Sequence, residues 1–159
     1  MPALPDRTVA TPGGFNLAAF WSRQESSAMS ELPDLDALAE ASGGYTPEAF
    51  AFVGESLRHA ARLFGKESGE RENRHLMANE LVEGVLDLAT TRFGLMAELV
   101  LREWGVKCAE DVGRITFALI EVGVFSKQPS DRLEDFIRGP NFGDALTQRS
   151  RQRLCPNVA

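Results

Sequence analysis

The chain has 159 residues, 43% of them apolar, and a formal net charge of −6. This length supports one modest hydrophobic core and excludes two independent ones. No run of 18 apolar residues occurs, and no basic segment leads into an apolar stretch near residue 1. We therefore predict neither a membrane span nor a secretory signal, and we expect a cytoplasmic protein.

The charge is divided unevenly along the chain. Residues 30–140 contain 20 acidic and 12 basic side chains, a balance of −8, whereas residues 141–159 have a balance of +2. An acidic body repels phosphate backbones. We therefore expect the folded body to bind no nucleic acid, and any such binding would use the tail arginines: Arg149, Arg151 and Arg153.

The N-terminal residues 1–28 are rich in Pro, Gly, Ser and Ala and show no sustained helical or strand period. This composition predicts disorder. A short docking helix over residues 15–21 is the alternative, and whether translation begins at Met1 or Met29 stays open. We divide the chain into an extension over residues 1–28, a helical domain over residues 29–142 and a basic tail over residues 143–159.

Two helices are predicted before the centre of the chain. A short one over residues 33–41 has Leu35 and Leu38 facing inward. The second begins at Thr46-Pro47-Glu48, a sequence that offers an N-cap hydroxyl, a proline for the first turn and an acid for the positive helix end. Its apolar residues recur at steps of three and four up to Phe64. Residues 66–74 are charged and contain no apolar side chain, which predicts a surface loop.

Three apolar segments fill residues 80–123, around which we expect the fold to be organised. The first carries Gly84 within its apolar face, where the missing side chain would let another helix backbone come close. The second, residues 95–104, is apolar on almost every side, so we predict a buried helix that ends in a largely buried Trp104. The third also predicts a mostly buried helix. Gly105 and Gly123 are expected to end their helices in the left-handed conformation.

The predicted fold class is mainly α, a compact bundle of four to six helices. Residues 124–137 leave two alternatives open, a small β-hairpin, which we favour slightly, or a capped helical turn. With the hairpin, residues 95–137 would have a winged-helix-like order of elements. The helix that would then meet DNA begins Ala109-Glu110-Asp111, and two acids at that end argue against insertion into a DNA groove.

A set of short motifs resembles those of an uncharacterised family of short bacterial proteins, a domain of unknown function. The resemblance covers about residues 45–142, and it implies no activity, substrate or cofactor. It lies in the order and spacing of Tyr45, Phe50-Ala51-Phe52-Val53, Arg74-His75, Glu80-Leu81, Phe93-Gly94, Trp104-Gly105, Asp111-Val112-Gly113, Gly123 and Asp135-Phe136.

The best candidate for a polar site is Arg74 and His75 together with Glu80. An imidazole can move protons or bind a metal ion. However, no nucleophile and no third ligand occur at a recognisable spacing, so we favour a structural role for His75, as a helix cap or a partner of Glu80. Cys108, three residues before Asp111, is placed to cap a helix. The two cysteines are far apart, so we expect no metal site and no cofactor.

These observations favour a small cytoplasmic protein-interaction or adaptor module without catalytic activity. The alternative is a nucleic-acid or ribosome-associated factor that uses Arg149, Arg151 and Arg153. A third hypothesis is an enzyme or metal-binding protein centred on His75. A protein partner is expected, and the sequence does not specify its identity or the oligomeric state.

Overall fold

The computed structural model describes residues 14–16, 34–67, 75–124 and 132–156; for residues 14–16 and His75 it describes the backbone alone. The chain is mainly α-helical, as predicted. The elements are β1 (Gly14–Asn16), α1 (Leu35–Ser42), α2 (Pro47–Leu63), β2 (His75–Met77), α3 (Ala78–Phe93), a 3-10 turn (Gly94–Met96), α4 (Ala97–Glu103), α5 (Ala109–Glu121), α6 (Glu134–Ile137) and α7 (Phe142–Leu154).

Helices α2 and α3 form the central pair of the bundle. They are packed so closely that a β-carbon at Gly84 would lie 2.5 Å from the β-carbon of Ala60 and 3.1 Å from the carbonyl oxygen of Ser56. This confirms the role predicted for Gly84. The core around the pair includes the fully buried side chains of Phe50, Leu57 and Leu81.

The N-terminal extension contains one described segment. Strand β1 pairs antiparallel with β2, with Phe15 opposite Leu76. The docking helix considered for residues 15–21 is therefore wrong at residues 15 and 16, which are extended. The other residues of the range 1–28 lie outside the described part of the chain, so the expectation of disorder stays a prediction for them.

The segment 95–104 differs from its prediction. Gly94 has a positive φ of 54°, and the residues after it form a 3-10 turn before α4 begins. Leu95 is 67% exposed and Met96 is 54% exposed, whereas Leu101 is 1% exposed. The prediction of a helix buried on all sides is therefore wrong. Helix α4 has only seven residues, and it packs one face against the body.

Trp104 is half-buried rather than largely buried. Its ring lies 5.5 Å from the ring of Phe52 and 5.7 Å from the ring of Phe93, measured between centroids. The three rings join the end of α4 to α2 and α3. Gly105 follows with a φ of 89°, and a β-carbon there would lie 2.1 Å from the carbonyl oxygen of Gly44. Gly105 is thus confirmed as a left-handed residue, and Gly123, with a φ of 79°, is another.

The C-terminal part contains two corrections. Residues 134–137 form the single turn α6, so the return strand of the hairpin and the winged-helix-like order are wrong there, and residues 125–131 lie outside the described range. The expected tail is instead the 13-residue helix α7, which buries Phe142 and Leu146 to 1% exposure against the body. Helix α7 therefore belongs to the domain, and the boundary expected at residue 142 does not match the packing.

None of the helices that the structure describes is long and apolar enough to cross a membrane.

Candidate functional site

A groove of about 780 Å³ runs between α3, α6 and α7. We call it the α3–α7 groove. Its walls come from α3, from the turn that follows α6 and from α7, and Phe64 beyond the end of α2 also lines it. The lining residues are Phe64, Asn79, Val82, Glu83, Leu86, Asp135, Phe136, Arg138, Gly139, Pro140, Ala145, Gln148, Arg149 and Gln152.

The floor of the groove is apolar and fixed in place. Val82 and Leu86 are buried one turn apart on α3, and the buried ring of Phe136 lies beside them. A β-carbon at Gly113 would come within 2.7 Å of the Phe136 ring, so only glycine lets α5 approach it this closely. The packing therefore holds the floor without a ligand.

Two ion pairs join α3 to α7. One nitrogen of Arg149 donates to both carboxylate oxygens of Glu83, each at 2.6 Å. One turn later, Arg153 donates to Oδ1 of Asp87 at 2.8 Å and to the hydroxyl of Thr91 at 2.8 Å. Both acids and both arginines are four residues apart, so the two ion pairs are separated by about one helical turn on each helix. We call this pair of contacts the arginine ladder.

The ladder extends to α2 through His59. Nε2 of His59 lies 2.6 Å from Oδ2 of Asp87, and both side chains are about three-quarters buried. The carboxylate of Asp87 is thus shared between His59 and Arg153. This pair was not predicted, because the two residues lie 28 positions apart on different helices.

Most of the remaining polar side chains of the groove have no partner in the part of the chain that the structure describes. The amides of Asn79, Gln148 and Gln152 make no hydrogen bond with any part of the chain that the structure describes. Arg138 likewise forms no ion pair with a described residue, whereas Asp135 accepts a hydrogen bond from the backbone N–H of Arg132 at 3.3 Å. The groove therefore presents exposed amides, which can exchange water for a ligand, beside buried apolar side chains.

The polar site predicted from the sequence is only partly described. Arg74 and the side chain of His75 lie outside the described residues, and the backbone of His75 belongs to β2. Glu80 accepts from the backbone N–H of Met77 at 2.7 Å and from Nζ of Lys66 at 2.5 Å. Glu80 thus caps the start of α3, and pairing between His75 and Glu80 stays a prediction.

The arginines proposed for nucleic-acid contact do not share one environment. Arg149 and Arg153 are engaged in the arginine ladder, while Arg151 is exposed on the outer face of α7. A phosphate contact by either ladder arginine would have to compete with a carboxylate that already holds it. This difference was not predicted, because the three arginines were expected in a tail without packing contacts.

Cys108 and Asp111 form a cap for α5, as the spacing predicted. Asp111 accepts from the backbone N–H of Lys107 at 2.9 Å, from the thiol of Cys108 at 3.4 Å and from the hydroxyl of Tyr45 at 2.7 Å. Burial acts to raise the pKa of Asp111, but these hydrogen bonds outweigh it and the pKa is lowered. Asp111 therefore accepts as a carboxylate at neutral pH.

The pKa values of Tyr45 and Cys108, which donate to that carboxylate, are both raised. Burial, followed by the hydrogen bond to Asp111, raises the pKa of Tyr45 well above its usual range. Burial also raises the pKa of the Cys108 thiol, which disfavours the reactive thiolate. In the described ranges, no group of three or more His, Cys, Asp or Glu residues is placed to hold a metal ion. The contacts of Asp111 thus cap α5 and join it to Tyr45.

No family model matches this chain, and no curated protein or solved structure matches it. The resemblance to a family of short bacterial proteins thus stays a prediction.

Proposed function

We propose that this chain is a small protein-interaction module that binds a segment of a partner protein in the α3–α7 groove and catalyses no reaction. One observation carries the proposal. The groove combines buried apolar side chains with polar side chains that have no partner among the described residues, which is the usual composition of a binding site. Its volume of about 780 Å³ falls within the range of roughly 300–1,000 Å³ that such sites occupy.

The walls of the groove are held in place by ion pairs and by apolar packing. The arginine ladder fixes α7 to α3, and the buried side chains of Phe142 and Leu146 anchor the start and the middle of α7. A site that is formed before binding loses less entropy when its ligand arrives. The groove is thus suited to a reversible interaction without refolding.

The groups that could carry chemistry are occupied by structural contacts. Asp87 is shared by His59 and Arg153, Glu80 caps α3, and Asp111 caps α5. These contacts support binding rather than catalysis. The ladder contacts of Arg149 and Arg153 give no support to the nucleic-acid alternative. A cytoplasmic location and membership of the resembled bacterial family remain part of the proposal.

Selection from a library of short random peptides displayed on phage tests this function. We expect the chain to enrich related peptides, and the variant Gln148→Trp to lose them because the indole fills the groove. Thr147→Trp is the matched control, since Thr147 is an exposed neighbour on α7 that does not line the groove. If no peptide is enriched, or if Gln148→Trp retains the same peptides, the proposed function is wrong.

A further inference from the structure

The two halves of helix α7 are attached to the body in different ways. The first half buries Phe142 and Leu146 to 1% exposure. Beyond Leu146, the one buried residue of the helix is Ser150, whose hydroxyl donates at 3.0 Å to the carbonyl oxygen of the residue that follows α3. Leu154, at the end of the helix, is 63% exposed. The second half, residues 147–154, therefore buries no apolar side chain, and we call it the α7 strap.

The strap is held to α3 mainly by charge. Arg149 donates to both oxygens of Glu83, and Arg153 donates to Asp87 and to the hydroxyl of Thr91. The four charged side chains keep between 24% and 46% of their surface exposed. Ion pairs that are this accessible to water stabilise little, and they weaken as salt is added. The strap is therefore held less firmly than the first half of α7.

The acids that receive the strap lie on a fixed surface. Glu83 and Asp87 stand on either side of Gly84 in α3, where the helix approaches α2 too closely for a β-carbon. Asp87 also contacts Nε2 of His59 on α2 at 2.6 Å, so it keeps a partner in the body when Arg153 leaves. Breaking the arginine ladder therefore moves the strap and leaves α2 and α3 in place.

A detached strap does not remain helical. Its eight residues are too few to form a stable helix in water without packing. Arg149 and Arg153 are four residues apart, so their charges repel each other once the acids of α3 no longer neutralise them. Segments with few buried apolar contacts open locally at a free energy well below that of global unfolding. Detachment and unwinding of the strap are thus one local step that stops at the buried Leu146.

The strap supplies one wall of the α3–α7 groove. Gln148, Arg149 and Gln152 line the groove and belong to the strap, and Ala145 is the other α7 residue in the lining. The groove is therefore complete only while the strap is closed. A ligand of the groove binds the closed state, so by linkage it reduces the population of the open state.

We infer that the α7 strap opens and closes on α3 while the central helices stay folded, and that ionic strength, acting on the arginine ladder, sets the fraction of molecules in which the groove is formed. The inference rests on the proposed function for the role of the groove, and it adds the regulation of that site. Opening of the strap itself can be measured without a ligand.

Hydrogen exchange of the full chain, followed by mass spectrometry, measures this opening. In α7 the amides of residues 151–154 donate to carbonyl groups within the strap, so their exchange reports its unwinding. We expect them to exchange about 3-fold or more faster at about 1 M NaCl than at about 0.05 M, with no change in residues 81–91 of α3. A synthetic peptide with the strap sequence gives the unfolded rate at each salt concentration. A strap that exchanges as slowly as α3, or as fast as that peptide, at both concentrations would contradict the inference.

Variants of the ladder test its role in closing the strap. Arg153→Gln should speed exchange of the strap about 3-fold, and the double variant with Arg149→Gln should speed it about 5-fold or more and remove the response to salt. Arg151→Gln is the matched control, because it removes the same charge from an exposed position of the strap that takes no part in the ladder. Equal rates for Arg151→Gln and Arg153→Gln would show that ordinary fraying of the helix end sets the exchange, and the inference would be wrong. The melting temperature of each variant checks that the body is folded.

A peptide enriched in the phage selection connects the strap to the groove. At a free concentration of about ten times its dissociation constant, the peptide should slow exchange of the strap about 10-fold. If a peptide binds in a manner sensitive to Gln148→Trp but leaves the exchange of the strap unchanged, the inference is wrong and the proposed function stands. If no peptide is enriched, the proposed function is wrong, whereas the responses to salt and to Arg153→Gln still decide whether the ladder closes the strap.

Discussion

Gly84 on α3 faces Ala60 on α2 with no room for a further methyl group, since a β-carbon at residue 84 would lie 2.5 Å from that of Ala60. This contact sets the distance between the two central helices. It also sets the position of Val82, Glu83 and Leu86, which line the groove on the same helix.

Gly84→Ala is expected to destabilise the protein by about 1–3 kcal/mol in chemical denaturation, because the added methyl group forces the helices apart. The matched control is Gly54→Ala. Gly54 also lies in a helix, and a β-carbon there would have no neighbour within 4 Å. The control should gain about 0.5–1 kcal/mol from better helix propensity. Equal effects of the two substitutions would contradict the close approach.

Leu101→Ala is expected to cost about 2–4 kcal/mol, because Leu101 is 1% exposed and its loss leaves a cavity. Leu99→Ala, two residues away on α4 and at 37% exposure, should cost well under 1 kcal/mol apart from propensity. Thermal or urea denaturation of both variants gives the comparison. A large loss for Leu99→Ala would show that the outer face of α4 is covered.

The prediction of a close helix approach at Gly84 was confirmed, and the prediction of a fully buried helix over residues 95–104 was wrong. Both outcomes have physical reasons. A glycine inside an apolar helical face implies a close neighbour whatever that neighbour is, so the sequence was sufficient. In contrast, the exposure of Leu95 depends on Gly94, which turns the backbone at a positive φ and leaves α4 only two turns long. An apolar pattern shows which side chains could be buried. Whether they are buried depends on the length of the surface that the neighbouring elements offer.

The candidate site could not be predicted because it is made by α7. The sequence of residues 145–154 is polar and has a low apolar content, so it resembled a tail. Its packing relies on two apolar residues, Phe142 and Leu146, and on the acids that α3 presents at the same spacing as the α7 arginines. The i, i+4 spacing of Glu83 with Asp87 and of Arg149 with Arg153 was visible, but no rule of sequence pairs two helices that lie 66 residues apart.

Tyr45→Phe is expected to lose about 1–2 kcal/mol at about pH 7, since the hydroxyl donates to a half-buried carboxylate. The pKa of Asp111 is lowered in the folded state, so this contribution is present above its unfolded pKa of about 3.9 and is lost as the pH falls through the folded value. The difference in unfolding free energy between the two proteins should therefore shrink below about pH 4. A constant difference down to about pH 2 would contradict the contact.

The raised pKa of Tyr45 has its own consequence at high pH. Stability from the protonated hydroxyl is complete below its unfolded pKa of about 10 and is lost as the pH rises through the higher folded value. The chain has one tyrosine, so the ultraviolet absorbance of tyrosinate reports Tyr45 alone. In the folded protein, we expect ionisation of Tyr45 to begin above about pH 10. It should require a higher pH than in the urea-unfolded chain.

Binding of RNA by α7 should be weak and sequence-blind. Two of its three arginines are held by Glu83 and Asp87, so Arg151 alone is available, and the slope of log affinity against log salt should be near −1. Mobility-shift titrations at two salt concentrations measure the slope. Arg151→Ala should abolish the shift, and Arg149→Ala should not. Ending the chain at Pro140 is unsuitable as a control, because it removes the buried Phe142 and Leu146.

Ligand binding in the α3–α7 groove is tested most directly by an NMR titration. The ¹⁵N-labelled chain is titrated with a peptide enriched in the phage selection. The side-chain NH₂ resonances of Asn79, Gln148 and Gln152 should shift together as peptide is added. The NH₂ group of Asn141, an exposed residue outside the groove whose side chain caps α7, should not shift. Shifts confined to the exposed face of Leu95, Met96 and Leu99, with the three amides unchanged, would contradict the account.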